Sequence, residues 1–393
     1  MNFTNKAQIL DDYEQYIIER THHHMGYPYN LDFKYEELSK FFKYSINNLG
    51  DPFQPSNYGV HSRQFELEIL KFFADLWKLD DYWGYVTNSG TEGNLQSMLI
   101  ARENLPNGIL YTSSETHYSI FEAAHMYKMK AITIPTKWNG CIMLDILKEE
   151  ILNNIDKPVI INVNVGTTMK GAIDNLSGIL NILHDLQIPR DKFYVHCDGA
   201  LFAMMLPYLQ SANGTIVDFT LPIDSIAVSG HKFLGCPMPC GVMLTRKILM
   251  NPLLKPIEYL NSVDSTITGS RNGLSSLFLW NVITDKGHDG FRKDVEMVME
   301  NAKYLEKELT NRSISTFRNN LSSTVIFERP DEDFVIKWQL ACVGDIAHVV
   351  IMPSINKEKI DLFLTDIDNV QFNKKCVRLH MGNFCQCNDC IIL

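Results

Sequence analysis

The sequence predicts an α/β fold: a large, mostly parallel sheet with helices on both faces, followed by a smaller C-terminal α+β unit. Three observations carry this. From about Leu49 to Lys286, short apolar runs of strand length alternate with stretches whose apolar residues recur at helical spacing. Several of those runs pass directly into polar turns containing Gly, Ser or Thr. After Lys286 the order changes to one long amphipathic helix followed by short strands.

The segment 1–48 carries helical stretches and aromatic punctuation but little of a core, so it is expected to pack on another surface. Within 49–286, Trp83 to Val86 predicts a strand, and Leu95, Met98 and Leu99 mark the helix after it. Val159 to Val163 predicts a central strand bounded by Pro158 and by Gly166-Thr167-Thr168. Leu176, Ile179, Leu180 and Leu183 then fall at i, i+3, i+4 and i+7, the stripe of a helix. Phe193 to Cys197 and Ile226 to Val228 predict two further strands. In the unit 287–375, Phe291, Val295, Val298, Ala302, Leu305 and Leu309 mark the long helix. Strands at Thr324 to Phe327 and Ala347 to Met352 follow, and a helix on Ile360, Phe363, Leu364 and Ile367. A Cys-rich tail, 376–393, closes the chain.

Composition excludes several classes. The 393 residues are 45% hydrophobic and 21% charged, which excludes disordered, collagen-like and small disulfide-stapled chains. The formal charge of −10 argues against general binding to nucleic acid or an anionic membrane. No uncharged apolar run approaches the ~20 residues that span a bilayer, and the first dozen residues do not form a secretory signal. A cytoplasmic location is expected. Nine cysteines are an odd number, and Cys141, Cys197, Cys236, Cys240 and Cys342 lie scattered in apolar or Gly-rich stretches, so a disulfide framework is not expected.

In open α/β sheets, ligands bind at the carboxyl ends of strands, and two of these ends carry reactive groups. Ser229-Gly230-His231-Lys232 places a lysine where its amine can be desolvated and attack an aldehyde, although an isolated loop lysine is usually only solvated. Asp198 ends the preceding strand. If the two strands are parallel neighbours, a carboxylate and an amine meet at opposite ends of one small ligand, a pairing that suggests pyridoxal phosphate; the alternative for Asp198 is a helix N-cap. Thr87 to Asn94 supplies small hydroxylated residues and glycine at a helix N-terminus, suited to a phosphate monoester or simply to capping. His117 could stack on a pyridine ring or be a core histidine.

Together these motifs resemble the group II pyridoxal-phosphate amino-acid decarboxylases, most nearly the plant-type serine and histidine decarboxylases. The resemblance rests on Tyr58 to Glu66, Ser89 to Asn94, Thr116 to Ser119, Gly166-Thr167-Thr168, His196 to Ala200, Ser229 to Lys232, Cys236 to Gly241 and Gly269-Ser270-Arg271-Asn272-Gly273. It implies the aspartate-aminotransferase type I fold and a homodimer with active sites at the subunit interface. It also implies roles: Lys232 forms the Schiff base, Asp198 pairs with the pyridinium, Ala200 packs under the ring and His117 stacks on the other face. Ser89, Gly90, Thr91, Ser229 and His231 would surround the phosphate, with Thr168 near the ring. Ser270 and the Ser322-Ser323 pair would reach across the interface, Tyr58, His61, Ser322 and Ser323 would shape the substrate pocket, and Tyr259 would return the proton to Cα. Leu274 departs from relatives that carry His after the Gly-Ser-Arg-Asn-Gly motif. The expected reaction is decarboxylation of L-histidine to histamine, with L-serine to ethanolamine as the alternative. From another class, the alternative is a binding protein of this fold with weakened catalysis.

Remaining signals are weaker. His22-His23-His24 cannot all face one ion from a helix, so packing rather than metal binding is expected. Cys385, Cys387 and Cys390 are spaced too closely for a zinc site. Cys390-Ile391-Ile392-Leu393 matches a prenylation pattern but adjoins no polybasic stretch, so no membrane anchor is expected.

Overall fold

A computed structural model describes residues 5–209, 215–370 and 372. The tail cysteines, Cys376, Cys385, Cys387 and Cys390, lie outside the described residues. The described residues form two compact units, one within 32–296 and one from those before 32 and after 296, so the divisions fall at 31/32 and 296/297 rather than at the expected 48/49 and 286/287. Gly287 is instead where the helix Gly273–Asn311 breaks, with φ +52° and ψ −172°.

The larger unit is built on a seven-stranded sheet: β1 Tyr82–Thr87, β2 Ile109–Ser113, β3 Lys130–Ile134, β4 Val159–Asn164, β5 Phe193–Asp198, β6 Ser225–Ser229 and β7 Gly241–Arg246. Their order is β1-β7-β6-β5-β4-β2-β3. The pairs from β3 through to β6 are parallel, while β7 runs antiparallel to both β6 and β1. β1 thus points the same way as β6, and the carboxyl ends of β1, β2, β4, β5 and β6 all lie at one edge. The helices α1 Lys6–His22, α2 Arg63–Leu76, α3 Gly90–Asn104 and α4 Tyr118–Met126 are the first four of the chain. Tyr85, Met98, Ile100, Ile160, Tyr194, Ala227 and Met243 form the core where α3 crosses the sheet.

α3 does not pack as its apolar residues suggest. Leu95 and Leu99 are only half-buried, whereas Gly93, Asn94, Ser97, Met98 and Ala101 are buried. Small residues permit this close approach: a Cβ at Gly93 would sit 3.0 Å from the Ala227 Cβ of β6. The polar side chain of Asn94 is thereby carried beneath the sheet edge.

A two-stranded hairpin, β8 Lys255–Ile257 and β9 Ser262–Asp264, completes this unit. The smaller unit has a four-stranded antiparallel sheet of β10 Thr316–Phe317, β11 Thr324–Glu328, β12 Ala341–Val343 and β13 Ile346–Val350. The chain start belongs to it: Met25 C=O accepts from Val350 N–H at 3.0 Å, His23 meets Trp338 edge-on at 5.1 Å and His24 stacks on Tyr29 at 5.7 Å. Among the described residues, no group of three or more His, Cys, Asp or Glu is placed to hold a metal ion, and no helix is long and apolar enough to cross a membrane.

Candidate active site

β5 ends on Asp198, and β6 runs in parallel register beside it with Asp198 opposite Ala227. The chains stay joined beyond the strands, where Ser229 N–H donates to Ala200 C=O at 2.9 Å. Lys232 follows in the turn after β6 and is half-buried. Burial lowers its pKa, and the Asp198 carboxylate opposes that by raising it. His117, at the N-cap of α4, feels the same two charges: burial lowers its pKa, Asp198 raises it and Lys232 lowers it. Lys232, Asp198 and His117 therefore occupy one electrostatic neighbourhood. Asp198 caps no helix; its Oδ1 accepts from Ala200 N–H at 3.3 Å.

The residues expected around a phosphate lie at the start of α3 and in the turn after β6. Ser89 caps α3, its Oγ accepting from Glu92 N–H at 3.2 Å. Gly90 faces Ser229, and a Cβ at position 90 would lie 2.2 Å from the Ser229 Oγ, so glycine is required for the helix start to approach this hydroxyl. Thr91 is half-buried in the first turn, where the helix dipole favours an anion. The half-buried His231 rests its Nδ1 against the Cys240 backbone, 2.9 Å from the carbonyl. Thr168 is exposed in the turn after β4, which opens at Gly166 with φ +106°; a Cβ there would collide with the Phe202 ring at 2.1 Å.

The other expected site residues have these surroundings. Tyr58 is half-buried, with its hydroxyl 3.4 Å from Ser45 C=O, and His61 is exposed. Ser270 is exposed and its Oγ accepts from Asn47 Nδ2 at 3.2 Å. Tyr259, between β8 and β9, is 82% exposed. Ser322 and Ser323 are buried in the smaller unit at the start of β11; Ser322 Oγ accepts from Thr324 N–H, and Ser323 Oγ has no hydrogen-bond partner. Leu274 is half-buried in the first turn of its helix.

Sequence reasoning missed the residues behind the site. Asn94 Nδ2 donates to Asp198 Oδ2 at 2.9 Å and to Ser119 Oγ at 3.0 Å, while its Oδ1 lies 3.0 Å from His196 Nε2. His196 Nδ1 lies 2.8 Å from Ser225 Oγ, which also accepts from Tyr194 at 2.8 Å. Asn94 stood within a quoted motif, but only an unexplained amide on the small-residue face of α3 could have signalled its role.

Burial holds the His196 pKa down to about 4, from 6.5 in the open chain. Between these values the unfolded chain binds more protons, so His196 contributes stability above pH 6.5 that is lost as pH falls toward 4, up to about 3 kcal/mol. His196→Gln is expected to flatten this part of the profile, measured as the difference in urea-unfolding free energy between pH 7 and pH 4.5. An unchanged difference would show that His196 is not buried neutral.

Comparison with known proteins gives concordant results. Residues 65–326 match the pyridoxal-dependent decarboxylase conserved domain. The chain is 52% identical to serine decarboxylase 1 of Oryza sativa subsp. japonica, covering 92% of this chain and 75% of that protein. It is 46% identical to the histidine decarboxylase of Solanum lycopersicum, covering 93% and 89%. Its fold is similar to that of L-methionine decarboxylase from Streptomyces sp.590, solved in an internal aldimine form, with a TM-score of 0.88, 25% identity and coverage of 94% and 95%.

Proposed function

The chain belongs to the pyridoxal-dependent decarboxylases, and we propose that within this family it is a homodimeric decarboxylase of L-serine, giving ethanolamine and CO2. The enzyme class, a carboxy-lyase using pyridoxal phosphate, follows from the family. The residues present fit the cofactor: a lysine and a carboxylate on adjacent strand tips, and a helix N-terminus beside the Ser229 hydroxyl.

When bound, pyridoxal phosphate supplies an electron-accepting ring that draws off the electrons of the Cα–carboxylate bond. In this reading Lys232 holds the aldehyde, and the depression of its pKa by burial favours the neutral, nucleophilic amine. Asp198 keeps a proton on the ring nitrogen, and His117 covers the ring. Ser89, Gly90, Thr91, Ser229 and His231 hold the phosphate, with Thr168 and Ala200 beside the ring.

The observation favouring serine is the 52% identity to a relative named serine decarboxylase; the histidine decarboxylase reported above stands at 46%. This reverses the order in which sequence reasoning ranked the two substrates. Measuring CO2 release with each of the twenty amino acids tests it. Serine is expected to give the highest kcat/KM; a higher value with histidine would restore histamine formation, and no CO2 from any amino acid would favour the binding protein.

The homodimer is supported by α1, none of whose residues is buried. Ile9, Leu10, Tyr13, Ile17 and Ile18 are all exposed along it, an apolar surface suited to a second copy of the chain. In such a dimer Tyr259 and Ser270 act across the interface, Tyr58 and His61 border the substrate, and Tyr259 returns the proton to Cα; Ser322 and Ser323, fully buried within their own unit, have no surface to offer either a partner or a substrate. Tyr259→Phe is expected to divert turnover from amine toward transamination. Co-assembly of Tyr259→Phe chains with Lys232→Ala chains is expected to restore normal product, because each mixed dimer keeps one complete site. Failure of the mixture to recover would remove Tyr259 from the partner's site.

A further inference from the structure

The amide of Asn94 makes three hydrogen bonds, and its orientation is fixed by chemistry. The Asp198 carboxylate can only accept, so the group facing it at 2.9 Å is the NH2. The second amide hydrogen goes to Ser119 Oγ at 3.0 Å. With that oxygen accepting, the Ser119 hydroxyl hydrogen is free to donate to His117 Nδ1 at 2.8 Å, which also receives Ser119 N–H at 3.3 Å. His117 Nδ1 therefore carries a lone pair, and the ring proton resides on Nε2. On the other side, Asn94 Oδ1 accepts from His196 Nε2–H, and His196 Nδ1 accepts from the Ser225 hydroxyl. Asn94, Ser119, Asp198 and His196 are all at least 93% buried, so water does not compete for these bonds.

We propose that Asn94 is the positioning residue of this active site. One side-chain amide fixes both the rotation of the Asp198 carboxylate and, through Ser119, the tautomer of His117. The two groups assigned to opposite parts of the cofactor are thus set by a single residue that touches neither cofactor nor substrate. Asn94→Asp keeps the size but removes both donors and sets a second carboxylate against Asp198. The proposal rests on the cofactor roles given above to Asp198 and His117.

The test uses the full chain freed of cofactor, with 15N-labelled histidine and the His117 signals identified by their loss in His117→Gln. The unsubstituted chain is expected to show His117 protonated at Nε2. Asn94→Asp is expected to give a mixture of tautomers at His117, because the Ser119 hydroxyl can then turn its hydrogen to the new carboxylate, and Ser119→Ala a smaller admixture, because the backbone N–H of residue 119 still reaches Nδ1. Affinity for added pyridoxal 5'-phosphate, read by fluorescence quenching, is expected to fall about tenfold or more in Asn94→Asp, as for loss of a hydrogen bond to a charged group. In Ser119→Ala it is expected to change much less, because the Asp198 arm is intact. An unchanged tautomer in both variants overturns the proposal, and Ser119→Ala keeps this readable should Asn94→Asp not fold. If Asp198→Asn weakens cofactor binding and Asn94→Asp does not, the positioning role fails alone. If Asp198→Asn itself leaves binding unchanged, the role of Asp198 fails and the cofactor half of the proposal with it.

Discussion

Lys232→Ala is expected to abolish covalent attachment of the cofactor and to lower decarboxylation by roughly 10²-fold or more, because the aldehyde loses the amine that holds it in place. Lys232 lies in the turn after β6, its amine within electrostatic reach of the carboxylate that ends β5, and burial lowers its pKa. Among the described residues no other lysine has both burial and the Asp198 charge acting on its pKa, so a neighbouring amine is not expected to take over. Borohydride reduction followed by intact-protein mass measurement checks attachment directly: the unsubstituted chain gains the mass of reduced cofactor and the variant does not. Labelling that persists in Lys232→Ala, on another lysine, would displace Lys232 from the centre of the site.

Arg271→Met is expected to cost about 3–5 kcal/mol of stability, because it strands a buried carboxylate. Glu66 is fully buried and Arg271 is 4% exposed. Arg271 pairs with Glu66 Oε1 and donates to Gly50 C=O at 2.7 Å and Val86 C=O at 3.2 Å. Glu66 in turn accepts from Val86 N–H at 2.8 Å and Asn48 Nδ2 at 2.9 Å. The pair thus ties the 48–66 segment and the Gly269 to Gly273 motif to β1, whose end leads into α3. Urea unfolding at neutral pH measures the loss. Glu66→Gln with Arg271→Met should cost less than the sum of the two single changes, since the double variant leaves no unpaired charge. A loss below about 1 kcal/mol for Arg271→Met would mean the pair is solvated rather than buried.

The strand tips that carry the proposed site could be read from sequence because their signals are local. An apolar run that ends in a Gly-containing polar turn marks a strand tip within a few residues, and this located Asp198, Lys232, Ser89 and Gly90. The elements themselves followed for the same reason: the strands expected at Val159 to Val163 and Phe193 to Cys197 each run one residue further, and the helix expected on Ile360 to Ile367 begins at Lys357. What could not be read depends on partners distant in the chain. Arg271 and Glu66 are 205 residues apart and Asn94 and Asp198 are 104 apart, and neither pair has a periodicity to announce it. The antiparallel β7 was hidden because an apolar strand reads alike in either direction. The packed face of α3 was misjudged because leucines were weighted above small residues, where close approach to the sheet requires the reverse.

The convergence of five strand ends has a consequence for how this protein matures. If the proposed cofactor residues hold, Ser89 to Lys232 come together only once β5 and β6 have docked into a sheet whose spatial order departs from chain order, so a half-built chain would offer the vitamin nothing to hold. Pyridoxal phosphate then acts as a selective ligand for finished molecules, raising their resistance to heat and proteolysis with its concentration. Cellular supply of the vitamin would in this way govern how much enzyme persists as well as how fast it turns over.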